Sequence, residues 1–70
     1  MSSPEATWYE IRPNGMLAIS VPNPKRYLDV EAAEAAATTM RQRYPDFEFV
    51  EIVRVDFRGK DRAETPVGRI

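Results

Sequence analysis

The chain has 70 residues, with 10 Lys plus Arg against 11 Asp plus Glu, six Pro, and neither Cys nor His. One small domain is therefore expected, and at this length only about 60% of the unfolded chain's surface is buried on folding. The missing residues exclude disulfides, thiolate metal sites and the usual neutral-pH acid/base group, and the balanced charge argues against a dedicated nucleic-acid binder.

The charge is unevenly spread. Residues 1–57 carry six basic against nine acidic side chains, and residues 58–70 carry four against two. The opening residues MSSPEAT hold neither a positive stretch nor an apolar run, so a secretory leader is not expected. No apolar segment approaches the roughly 18 residues of a membrane helix. A cytoplasmic protein is expected.

Residues 1–6 are small, polar and contain Pro4, and read as a flexible arm. Residues 7–57 read as one α+β domain. Thr7 to Arg12 is rich in aromatic and β-branched residues and reads as a strand, and Met16 to Val21 reads as a second. Pro13-Asn14-Gly15 between them signals a hairpin. A two-residue turn at Asn14-Gly15 puts Arg12 opposite Leu17 and Glu10 opposite Ile19, mixing charged and apolar groups. A three-residue loop with left-handed Gly15 pairs Ile11 with Leu17, Tyr9 with Ile19 and Thr7 with Val21. That register makes one face apolar, and the three-residue loop is expected.

Pro22-Asn23-Pro24 ends the second strand, because Pro cannot donate to a ladder. The basic pair Lys25-Arg26 follows, and this stretch reads as a stiff connector. Asp29 suits a helix N-cap, and Glu31 suits the positive end of the helix dipole. Val30, Ala33, Ala37, Met40 and Tyr44 then recur at helical spacing. Arg41 and Arg43 suit the last turn, and Pro45 pushes Tyr44 out of helical geometry.

Phe47 to Phe57 (FEFVEIVRVDF) is the longest strand-like run. Alternation puts Phe47, Phe49, Glu51, Val53, Val55 and Phe57 on one face. Val50 and Ile52 fall on the other. Either a bulge near Val50 switches the faces or both faces are partly apolar. Residues 58–70 are polar and without period, and read as a mobile tail in which Val67 to Ile70 forms at most a short edge strand.

The resulting layout is ββαβ, a three-stranded antiparallel sheet of order 2-1-3 with one helix packed on one face. The expected core is Tyr9, Ile11, Leu17, Ile19, Val21, Val30, Ala33, Ala37, Met40, Val53, Val55 and Phe57. One helix covers one face, so the other is left bare. Trp8, Met16, Ala18, Val50 and Ile52 form the expected partner-binding patch there, for a second copy or a larger protein, since exposed apolar patches and Trp mark interfaces. The competing reading folds an end of the chain over this patch or returns its residues to the core. Arg54, Arg58, Lys60 and Arg62 form the alternative, nucleic-acid-binding set, against the plainer reading of a solvated end.

The acids Glu31, Glu34, Asp46, Glu48, Glu51 and Asp56 lack calcium-loop spacing, and no metal or other cofactor is expected. Ser and Thr have no base beside them, so no enzyme is expected. In size and layout, the stretches WYEIRPNGMLAISV and EAAEAAATTMRQRYPD and the strand after Pro45 resemble very small proteins of bacteriophages and mobile elements. That group includes anti-CRISPR proteins, and the resemblance implies a binder or inhibitor of a larger complex. It assigns no residue a role.

Overall fold

The computed structural model describes residues 5–16 and 25–70. Strand β1 spans Ala6–Pro13, helix α1 Val30–Arg43, strand β2 Val50–Arg58 and strand β3 Asp61–Arg69. Among the described residues the architecture is α+β, with one helix and a three-stranded antiparallel sheet in the order β1-β2-β3. This corrects the expected order 2-1-3 and the ββαβ layout. The run after Pro45 forms the central strand, and residues 61–69, expected as a tail, form an edge strand. The expected strand Met16 to Val21 lies almost wholly outside the described residues, with Leu17, Ile19 and Val21 of the expected core.

Local signals explain α1. Asp29 sits in extended geometry (φ −137°, ψ 159°), and its carboxylate accepts a 2.7 Å bond from the Ala32 N–H. Glu31 lies in the first turn, and Arg41 and Arg43 in the last. Tyr44 closes the helix by donating its N–H to the Met40 carbonyl (2.8 Å), just before Pro45. Ala33 and Ala37 are fully buried, so the helix backbone comes close to the sheet. It rests on β1 and β2.

The turn after β1 differs from expectation. Asn14 (φ 51°) and Gly15 (φ 67°) both lie in the left-handed region, and the Met16 N–H bonds to the Pro13 carbonyl (3.0 Å). This is a two-residue reversal, which needs two positive φ values, rather than the three-residue loop. Tertiary bonds hold Asn14 there. Its N–H donates to the Phe49 carbonyl (2.8 Å), and its side-chain oxygen accepts from the Glu48 N–H (2.8 Å). The place opposite Tyr9 expected for Ile19 belongs to Tyr27, which exchanges bonds of 2.7 and 2.8 Å with it.

The second turn, Gly59-Lys60, joins β2 to β3. Gly59 has φ 57°, and Arg58 pairs with Asp61 across the turn. A Gly at the first corner is what a two-residue hairpin of the II′ kind uses.

Strand β2 is apolar on both faces. Val50 and Ile52 pack under α1 with Ala33, Ala37, Tyr9, Ile11, Tyr27, Val30, Met40 and Ile70. Val53 and Val55 pack on the opposite face with Trp8 and Phe57. Val53, Val55 and Phe57, expected beneath the helix, therefore lie on its far side. The four Val and Ile side chains are the largest fully buried ones described, each contributing about 1.5–3 kcal/mol. Among the described residues no helix is long and apolar enough to cross a membrane.

Candidate functional site

The face of the sheet away from α1 is built from three alternating rows. β1 contributes Trp8, Glu10 and Arg12. β2 places Val55, Val53 and Glu51 opposite them, and β3 places Glu64 opposite Val55 and Arg62 opposite Phe57. β1 and β3 are two strand spacings apart, roughly 10 Å. Only long side chains span that gap, and they do so over Val53 and Val55.

The result is a closed lid. The Trp8 indole N–H donates to Glu10 Oε2 at 2.7 Å. Arg62 Nη2 donates to the same carboxylate at 3.0 and 3.2 Å, and Arg12 Nη2 at 3.2 Å. Arg12 also grips Glu64 with both terminal nitrogens, at 2.8 and 2.6 Å, while Arg62 Nε donates to Glu64 at 2.8 Å. Beside this network, the Arg26 guanidinium lies 4.2 Å from the centroid of the Trp8 ring. Phe57 lies 6.3 Å from that centroid. Beneath the lid Val55 is 0% and Val53 2% exposed, and Glu10 itself is only 4% exposed.

The electrostatics are those of a lock. Burial works to raise the pKa of Glu10, but bonds from Trp8 and Arg12 and the charge of Arg62 outweigh it and hold the group below its usual value. The Arg12 bond, opposed by burial and helped by Arg62, pulls Glu64 down to about 2. Glu64 in turn raises the pKa of Arg12. All four groups are ionised at neutral pH, so the cluster neither gives nor takes a proton in that range.

The expected partner patch does not assemble. Trp8 is on the back face but only 6% exposed, covered by its own chain. Val50 and Ile52 are buried on the other face, beneath the helix, because β2 is the central strand. Met16 is 37% exposed just past the turn, and Ala18 lies outside the described residues. The basic set is also dispersed. Arg62 belongs to the lid, Lys60 to the turn, and Arg54 and Arg58 to the helix-side face, where Arg54 Nε lies 3.3 Å from Asp56. Among the described residues no group of acids is placed to hold a metal ion. An open groove of about 380 Å³ between α1 and β1, lined in part by Ile11, Tyr27, Met40 and Tyr44, holds, among the described residues, no nucleophile with a base beside it.

Among the described strands, β3 is the one exposed along its whole length. Every residue from Asp61 to Arg69 is exposed. Val50 and Ile70 exchange reciprocal backbone bonds (3.1 and 3.0 Å). Stepping along the register from that pair, Asp61, Ala63, Thr65 and Gly68 turn their backbone groups toward β2. Arg62 and Glu64 turn theirs outward. Pro66, which has no N–H, sits on the outward parity, where its missing donor costs no ladder bond. The register shifts between Ile52 and Val53, so Val67 is unpaired in a bulge.

Sequence reasoning missed Glu10, Arg12 and Glu64 as a unit. Their i, i+2 spacing in Trp8-Glu10-Arg12 and Arg62-Glu64 places each set on one face of a strand, and this signal was present. No family model matches the chain, nor does any curated protein or solved structure.

Proposed function

We propose that the chain is a small non-enzymatic protein-interaction module whose contact surface is β3 and its flanks, rather than the face around Trp8. The observation that carries this reading is the nine-residue β3, exposed throughout, at the edge of a sheet whose two faces carry α1 and the lid. A strand edge offers a row of backbone donors and acceptors to an added strand, and Ala63 and Thr65 leave its helix-side flank low. The partner is a protein, either a second copy or a component of a larger complex that the module binds or inhibits.

The test replaces both Ala63 and Thr65 by Lys. These exposed positions face away from the lid, so the fold is retained, as circular dichroism will verify. Immobilised wild type and variant are exposed to extract of the cells that express the protein, and self-association of each is measured separately. Loss of partner capture or of self-association in the variant alone supports the reading. Equal behaviour of the two proteins refutes it.

A further inference from the structure

Resting on that reading, we propose that β3 pairs with β3 of a second copy, antiparallel and centred on Ala63, giving a two-fold dimer whose sheet runs on continuously across the axis.

The register follows from two independent patterns. The first is the backbone. Arg62 and Glu64 point their N–H and C=O groups outward, while Ala63 points inward to Asp56 on β2. In an antiparallel two-fold pair centred on Ala63, Arg62 meets Glu64 of the second copy, and Glu64 meets its Arg62. Both are positions where the outward groups exchange bonds. Ala63 meets its own copy at the non-bonded position between them, and Asp61 meets Thr65.

The second pattern is charge. A two-fold interface sets each residue against a partner fixed by symmetry, so a charged strand self-pairs only if opposite charges fall together. Centring on Ala63 does this for Arg62 and Glu64, and sets the small, uncharged Ala63 against itself on the axis. Shifting the centre to Arg62 or Glu64 puts like charges in direct opposition, which is destabilising. Pro66 and the bulge at Val67 then end the pairing, because one lacks a donor and the other leaves the ladder.

The surroundings agree. The helix rests on β1 and β2, so its body stands back from the edge. Arg62 and Glu64 are already ordered by Glu10 and Arg12 within their own chain, at 2.6–3.2 Å. Their side chains lose less freedom on pairing than free Arg and Glu would. The two lids then join into one Arg–Glu array across the axis.

The chain has no cysteine, so single thiols can map the register. Across a non-bonded antiparallel pair the Cβ atoms are about 4.5–5.5 Å apart, close to disulfide range. Ala63→Cys should cross-link to a covalent dimer under mild oxidation. Thr65→Cys should not, because its own copy lies four residues along, roughly 13 Å away. Sedimentation equilibrium should show concentration-dependent dimers for wild type and about tenfold weaker association for Ala63→Lys. Mixing Ala63→Lys with Ala63→Asp should restore the dimer. The proposal is overturned if wild type stays monomeric at millimolar concentration, if the two thiols cross-link equally, or if Ala63→Lys dimerises as wild type does. A monomeric wild type whose partner capture is still abolished by Lys at Ala63 and Thr65 sinks the self-pairing alone. Unaltered capture and association sink the interaction reading as well.

Discussion

The two faces of this sheet are buried to a similar depth by opposite means. On one, α1 lays Ala33 and Ala37 against Val50 and Ile52. On the other, among the described residues, Trp8 packs with Val53 and Val55, Glu10, Arg12, Arg62 and Glu64 bond to one another on the same face, and Arg26 lies over Trp8; Val53 and Val55 are as inaccessible as the pair beneath the helix. The first cover works by close packing of small side chains and is insensitive to charge. The second works by ionic bonds from the half-exposed Arg62 and Glu64 to the buried Glu10 and Arg12, and it is weakened if one of the buried charges is removed.

Acid should separate the two faces most sharply. Glu10 and Glu64 have pKa values depressed in the folded state, Glu64 to about 2 from a usual 4.5. A depressed carboxylate contributes stability that is complete above its unfolded pKa and lost as pH falls through the folded one. Urea midpoints should therefore hold steady down to about pH 4.5 and fall between there and about pH 2. Glu64→Gln should flatten that slope, and an unchanged slope would mean the lid is not the acid-sensitive element.

The next largest effect is expected for Glu10→Gln. It keeps the shape but leaves Arg12 and Arg62 facing a neutral amide at a buried site, which should cost about 3 kcal/mol in urea unfolding. A loss below about 1 kcal/mol would show the lid to be open to solvent. On the helix face, Ala37→Leu forces extra volume between α1 and β2 and should cost about 2 kcal/mol. That loss should be the same at low and high salt and at pH 3 and pH 7, unlike the Glu10 effect. The smallest change is expected for Arg26→Ala, which removes the cation over Trp8 at a cost of about 1 kcal/mol. Trp8 is the chain's one tryptophan, so its fluorescence should shift to the red as water reaches the ring. An unmoved spectrum would place Arg26 elsewhere in solution.

Some of this was legible in the residues. Asp29, the alanine stripe and Pro45 mark α1 because capping, periodicity and the loss of helical geometry before Pro act over a few residues. The double apolar face of β2 was also visible in Val50, Ile52, Val53 and Val55, and such a run belongs to a strand covered on both sides. Its central place depends on β3, which carries no such pattern. Asp61 to Arg69 is exposed along its whole length, so no burial imposes a period on it, and only the Gly59-Lys60 turn signalled a hairpin. Once β3 is placed, β2 moves to the centre, Val50 and Ile52 go beneath the helix, and the proposed Trp8 patch dissolves.

The helix, its caps, the strand character of β1 and β2 and the α+β class can be read from the residues alone, because each rests on interactions between near neighbours. The strand order, the two-residue turn at Asn14 and the lid come from contacts between distant parts of the chain. The turn is held by the Glu48 N–H donating to the Asn14 side-chain oxygen and by the Asn14 N–H donating to the Phe49 carbonyl. The lid depends on Glu10 and Arg12 meeting Arg62 and Glu64 across an intervening strand, some fifty residues along the chain. Alternation assigns such charges to a face, but only the order of strands says which charges share it.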